Sequence, residues 1–485
     1  MAIDLWRRRL PRLGRMWGLS LCLLWTTGLF AQLPYNQRKI KKELQALIDR
    51  YTMTAPGALE PSKTPGISAA VQYLGGGPHP FHGRHFTLVS GYSDPNEDCP
   101  RCPVKMDDDL MGEIGSVTKS ATAAVILRYI GDKVQLNDVP FTLEATLDAL
   151  APSLAGLYFN PKATVRQLLD MTSHIADFDE NIDYLILTEP ELAIEMIETM
   201  DFGEEDLAEF RDLLKAALDM PPIFLAIGPY SPILGDPMSN NSPARFWTDT
   251  DVYNIVGEPK AGEGDWDYSN TNYIILGEYL QGLFNYSDIG LAYQAKLFDL
   301  YDIDILLGAY TNVNPRRVIT GWSSGGTNIK TSSRIAFLSS YWSAGGMLGK
   351  PIDAARMALA IWCPEIGYLT PYLREQMLQG IPCGDLYAAV AGKPVEGIVV
   401  TGYGLGTLLA EVTLTPGGDQ AVQIMGNNGR TRGFHTATFY LPQREVGFTI
   451  MGNSGKNSVT GKYVIELERD FVRVLMAYQA PPSLP

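Results

Sequence analysis

Positive charge is in short supply in this chain: 39 lysines and arginines stand against 54 aspartates and glutamates, a formal net charge of −15 over 485 residues. No basic patch with interleaved aromatics offsets the deficit, which argues against nucleic acid and anionic membrane surfaces as partners. The glycine-rich loops that cradle phosphates or dinucleotides are missing, as is the Gly-x-Ser-x-Gly elbow of the large α/β hydrolase class. There is no internal repeat. Histidine is scarce, with five in all. Its one cluster, His79, His82 and His85, runs through Pro78, Pro80 and Gly83 with no acidic ligand pattern beside it. It reads as a turn ahead of a strand, with no metal; nothing calls for a cofactor. Adjacent Ser173 and His174 cannot face each other productively and read as a helix end.

The N-terminal apolar stretch, Met16–Ala31, falls short of the roughly 20 residues that a membrane span needs. It follows Arg7, Arg8, Arg9, Arg12 and Arg15, the layout of a secretory signal. The expectation is a signal peptide over 1–31, cleaved after Ala31, a secreted product and no stable membrane insertion once the signal is gone. An uncleaved signal anchor is the alternative. Of five cysteines, Cys22 would leave with the signal. Cys99 with Cys102, and Cys363 with Cys383, then suit two disulfides in an exported protein; a zinc site or a redox pair would also explain the spacing. Asn240 and Asn285 open glycosylation sequons, which would make the chain a glycoprotein in a eukaryotic source.

Against these absences stands Ser116-Val117-Thr118-Lys119, placed after Ile114-Gly115 and before the helix-forming run Ser120–Ala124. Residues three apart on a helix share a face, so Lys119 returns beside the Ser116 hydroxyl. A helix N-terminus adds partial positive charge and free N–H groups suited to a developing oxyanion. A desolvated lysine titrates lower than one in water and can take a proton from serine. Alone, the tetrad also fits an ordinary capped helix. Far downstream, Tyr268-Ser269-Asn270 puts a phenol and an amide two residues apart. In an extended segment both project to one side, the first able to exchange protons, the second to hydrogen-bond a substrate amide.

With both elements in this order, the chain resembles the serine hydrolases of the class C β-lactamase and DD-peptidase (penicillin-binding-protein-like) family, including its esterase relatives. The likeness also runs through Gly131–Asp138, Thr164–Ser173, Ser324–Thr331, Tyr403–Gly406 and Gly433-Phe434. It spans roughly 60–475 and lapses in about 178–262 and 340–395. It implies an acyl-enzyme in which Ser116 attacks a carbonyl, Lys119 and Tyr268 share the proton work, and Asn270 orients substrate and lysine. Which of Lys119 and Tyr268 is the base stays open, since they titrate as a coupled pair.

The family's third motif, Lys-Thr-Gly or His-x-Gly, departs from pattern. By position Asn427 takes the place of the lysine or histidine and Gly429 that of the glycine. Glycine there would let a substrate lie against the strand, and the next N–H, from Arg430, would join that of Ser116 on the oxyanion. Asn427 carries no charge, which tells against recognition of a β-lactam or peptide carboxylate. Arg430 or Arg432 can restore a cation as a carboxylate fork, or both are solvated turn residues. His435 reads as packing in the following strand.

Strand-like runs near both ends with helical patterns between imply an α+β, β-lactamase/transpeptidase-like fold: an antiparallel sheet flanked by helices, with a largely helical insertion. The expected division is a sheet domain from 32–133 and 396–485, and a mainly helical domain over 134–395 with an elaborated region at 178–262 above the cleft. The function expected is a secreted serine hydrolase acting on amide or ester bonds of a small-molecule or peptide substrate. An acyltransferase on the same scaffold, or a catalytically inactive binding protein, are the alternatives.

Overall fold

The structure is a computed structural model that describes residues 35–52, 63–76, 79–94, 103–152, 160–178, 266–284, 288–308, 317–322, 328–329, 341–391, 393–431, 433–455 and 458–478. The expected signal peptide, Cys99 and Cys102, both sequons, Arg432 and the region 179–262 lie outside these residues.

Its frame is one antiparallel sheet assembled from the two ends of the chain. The N-terminal strands are β1 (Gly66–Tyr73), β2 (His85–Asp94) and β3 (Val104–Lys105). The C-terminal ones are β4 (Ile398–Tyr403), β5 (Leu408–Thr413), β6 (Ala421–Arg430), β7 (His435–Leu441) and β8 (Val446–Gly452). Their spatial order is β4-β5-β6-β7-β8-β1-β2-β3, so β8 pairs with β1 and joins the halves. The central strands β1, β7 and β8 are buried along their whole length, and their sequences are correspondingly apolar or small without alternation. The outer β4 and β5 alternate buried and open positions, as strands covered on one face do.

Helices cover both faces. Helix α1 (Tyr35–Tyr51) and the C-terminal α7 (Ser458–Ala477) pack together on one. Phe471 of α7 stacks on Phe448, which stacks on its cross-strand partner Phe439, so these mark the α7 side of the sheet. On the other side lie α2 (Val117–Gly131) and α5 (Pro351–Trp362). Helix α5 falls within the stretch expected to be helical, yet it rests on β8 and β1 of the sheet. Helix α2 is almost wholly buried from Val117 to Leu127, which explains why its sequence is apolar or small all round rather than amphipathic. The short helix α3 (Val165–Asp170) opens on a capping box between Thr164 and Gln167 and ends at Met171 in the left-handed region. Helix α4 (Asn270–Phe284) packs against both α2 and α3.

Cys363 and Cys383 do not form the expected disulfide: both are buried free thiols. Cys363 Sγ donates to Glu365 at 3.0 Å, while Cys383 Sγ donates to the Gly384 carbonyl at 3.7 Å. Burial, reinforced at Cys363 by Glu365, pushes each thiol up to about 11, so both stay protonated. His79 and His82 stack ring on ring. Among the described residues no group of His, Cys, Asp or Glu is placed to hold a metal, and no helix is long and apolar enough to cross a membrane.

Candidate active site

Ser116 stands at the head of α2 with φ −60° and ψ −7° and makes no side-chain cap. A serine at this position ordinarily spends its hydroxyl on the first-turn N–H groups. Here the turn is closed by backbone bonds from Val117 to Ile114, Thr118 to Gly115 and Lys119 to Ser116. The Ser116 hydroxyl is not used by that turn, and its Oγ lies 2.7 Å from Tyr268 Oη and 3.1 Å from Lys119 Nζ.

Lys119 has no exposed surface. Its Nζ donates to Asn270 Oδ1 at 2.5 Å and to the Ala344 carbonyl at 2.8 Å. Both partners can only accept, so two of its N–H bonds are committed and the third tetrahedral position faces Ser116 Oγ. An ammonium there donates to Oγ; a free amine there accepts the hydroxyl proton. The Tyr268 ring centroid lies 4.9 Å from the same Nζ, within cation–π range.

The orientation of Asn270 is itself held. Its Nδ2 donates to Asp177 Oδ2 at 3.0 Å, and a carboxylate fixes which end of the amide turns toward Lys119. Asp177 is buried and escaped the sequence reading; its one signal was an acid set between Ile175-Ala176 and Phe178. The Ala344 carbonyl is backbone and left no signal at all. The Tyr-Ser-Asn segment is bound to the turn after α3: Asp267 N–H donates to Met171 O at 2.9 Å and Ser269 Oγ to Ala176 O at 3.3 Å. Trp266 lies against Tyr268 on one side and Tyr403 on the other. Asn270 opens α4 rather than continuing an extended loop.

The end of β6 completes the site through its backbone. A Cβ on Gly429 would fall 1.8 Å from Ile114 O and 3.0 Å from Ser116 N, so the loop carrying the nucleophile lies directly on this residue. The approach of 114–116 therefore itself requires a glycine at this position. Gly115 meets it with φ +52°, and a Cβ there would lie 2.9 Å from Arg430 N. The N–H groups of Ser116 and Arg430 thus belong to backbone segments in contact, the requirement for two donors to share one oxyanion.

The side chains on either side of Gly429 go elsewhere. Asn427 is buried and its Nδ2 lies 3.5 Å from Ser120 Oγ, under α2. Asn428 and Arg430 pair with Ala437 and His435, on the α7 side with Phe439. Strand alternation thus places the Arg430 side chain on the face opposite Asn427, as neither a fork toward Ser116 nor a solvated turn residue. Burial holds its guanidinium below the usual arginine value, and its Nε is buried without a partner. His435 is likewise buried there; burial, then Arg430, keeps its imidazole well below the usual range and neutral. On the site side of β7, Thr436 Oγ1 donates to the Glu113 carbonyl at 3.1 Å and ties the sheet to the segment before Ser116.

No family model matches the chain, and no curated protein matches it. Solved structures do. The D-amino acid amidase from Ochrobactrum anthropi SV3 in complex with D-phenylalanine superposes with a TM-score of 0.60 at 18% identity, covering 91% of this chain and 100% of that one. A D-stereospecific amidohydrolase from Streptomyces sp. gives 0.55 at 17%, covering 86% and 97%. The octameric penicillin-binding protein homologue from Pyrococcus abyssi gives 0.52 at 16%, covering 92% and 79%. The chain thus shares the mixed helix and antiparallel-sheet fold of these solved structures.

Proposed function

We propose that this protein is a serine amidohydrolase working through an acyl-enzyme on Ser116. The observation that carries the reading is the uncapped Ser116 hydroxyl, within hydrogen-bond reach of both Tyr268 and Lys119. In the forward step Oγ bonds to the amide carbonyl carbon as its proton passes to the Lys119–Tyr268 pair. The carbonyl electrons move to oxygen, held by the N–H groups of Ser116 and Arg430. When the tetrahedral adduct collapses, the C–N bond breaks and the amine departs with a proton delivered through Tyr268 Oη. Water then repeats the sequence on the ester, and Ser116 recovers its proton.

Substrates with a neutral group beyond the scissile bond fit this site best. At the end of β6 the site face offers an uncharged Asn427 and a glycine, while Arg430 turns to the other face. A carboxylate-bearing β-lactam or peptide gains no cation from this strand. The solved structures named D-amino acid amidase and D-stereospecific amidohydrolase support the same direction. The arginine-led, apolar N-terminus supports export, so we place the activity outside the cytoplasm.

The test is incubation with a fluorophosphonate and with a fluorescent penicillin, intact mass measurement, and turnover of D- and L-phenylalanine amide. A single adduct on the wild type, none on Ser116→Ala, and release of ammonia from the D-amide with little penicillin turnover are expected. Absence of any adduct under conditions where the protein is folded would overturn the acyl-enzyme. Transfer of the acyl group to an added amine or alcohol in preference to water would make it an acyltransferase.

A further inference from the structure

Beneath the strand that brings Gly429 and Arg430 to the nucleophile lies a second polar cluster that the proposed chemistry does not use. Glu468 of α7 is fully buried. Its Oε1 accepts the Tyr387 phenol proton at 2.5 Å, from the short helix α6 (Leu386–Ala391). Its Oε2 lies 3.3 Å from Asn428 Nδ2, which also lies 3.2 Å from Tyr387 Oη. Asn428 Oδ1 is buried with no partner, an acceptor in reserve within the same pocket. Three elements meet on this one carboxyl group, and Asn428 is the residue between Asn427 and Gly429.

Among the described residues, no cation pairs with Glu468. From α6 it faces only Tyr387. From β6 and β7 the ionisable side chains on this face are Arg430 and His435, neither of which pairs with it. The α7 faces of β4 and β5 present Ile398, Val400, Leu408, Ala410 and Val412. Helix α1 meets α7 elsewhere, with Tyr51 near Glu466, Arg469 and Asp470 and Glu43 at Tyr478. A buried carboxylate without a counter-ion is costly, whereas the protonated acid carries no charge and its carbonyl oxygen still accepts a hydrogen bond.

We propose that Glu468, in its neutral acid form, is a positioning residue that holds β6 at Asn428 and so keeps the Gly429–Arg430 backbone against Ser116. This rests on the acyl-enzyme reading above. Burial raises its carboxyl to about 8, and the phenol and amide bonds only partly offset that. At neutral pH the strand is clamped; as pH climbs past that value the buried acid must ionise, and the clamp loosens. The sign for stability follows. With a folded-state value above the unfolded one, the contribution is full below about pH 4.5, declines through neutrality and is spent above about pH 8.

The experiment compares wild type, Glu468→Gln and Glu468→Ala for rate of fluorophosphonate labelling and for thermal unfolding between pH 5 and pH 9.5. The ratio of wild-type to Gln-variant labelling rates should fall about tenfold from pH 7 to pH 9, following the neutral fraction of the acid. The Gln variant should lose the decline in melting temperature between pH 5 and pH 8 and keep wild-type reactivity at pH 7. The Ala variant should label slowly at every pH, a defect that a group serving stability alone would not produce in a folded protein. Identical pH profiles for wild type and Gln variant, in rate and in unfolding, would overturn the proposal. No labelling of wild type at any pH would remove the acyl-enzyme and the positioning role with it, while the unfolding series would still decide whether Glu468 is the titrating acid.

Discussion

Lys119 and Glu468 are both fully buried on helices, one on each side of β6, and the fold treats them in opposite ways. Lys119 meets two fixed acceptors and a serine hydroxyl, so either protonation state finds a full set of partners. Glu468 meets a phenol and an amide, with no cation among the described residues, and is pushed toward its neutral form. The comparison separates two uses of a buried ionisable group. A group ringed by partners that suit both of its forms can pass a proton on. A group whose surroundings suit one form can only hold a position.

Mutation can break this contrast at its strong end first. Lys119→Ala and Tyr268→Phe should each lower the acylation rate by at least about a hundredfold, the usual loss when general acid–base help is removed. Near-normal labelling by either variant would strip that residue of its role. Asp177→Asn removes the carboxylate that fixes the Asn270 amide. Labelling should slow by roughly tenfold, the scale of one charge-assisted hydrogen bond, with the fold intact; an unchanged rate would show that Asn270 needs no such hold. Gly429→Ala drives a methyl into Ile114 O and should destabilise by about 1–3 kcal/mol, as overpacking does, while slowing acylation. Equal melting curves for the variant and wild type would mean that 114–116 gives way freely.

The weakest effect belongs to the cysteines. Cys383→Ala should cost about 1 kcal/mol in chemical denaturation, well below the 2–4 kcal/mol that a broken disulfide costs. A loss of the larger size, with a matching mass change on reduction, would restore the Cys363–Cys383 bridge.

The elements that were legible in the sequence are those whose own pattern decides them. The strands over Gly66–Tyr73 and Val446–Gly452 and the C-terminal helix follow from runs of apolar residues at the right spacing. Between Ile398 and Thr413 the chain makes two strands, because Gly404 N–H bonds to Thr407 O at 2.7 Å and Gly406 turns with φ +64° between β4 and β5. Strand β6 runs on to Arg430, although Gly426-Asn427-Asn428-Gly429 has turn composition. Tertiary contacts override that preference: Asn427 and Asn428 are held from opposite sides, by α2 and by α7. Ser116, Lys119, Tyr268 and Asn270 stood out because their spacing suggests chemistry, and the fold brings them together. Asp177 and Ala344 did not stand out, since one acts through a neighbour and the other through its backbone. The Cys363–Cys383 expectation failed for a related reason: an even cysteine count says nothing of where the side chains point.

The seam between β8 and β1 has a bearing on how the molecule comes into being. The first strand made waits for the last one made, and the serine waits with it, because Gly429 must arrive from the far end of the chain before residues 114–116 have anything to rest on. Any fragment cut short before residue 430 should therefore be inert, and closing the site should be a slow step of the kind that long-range strand pairing imposes.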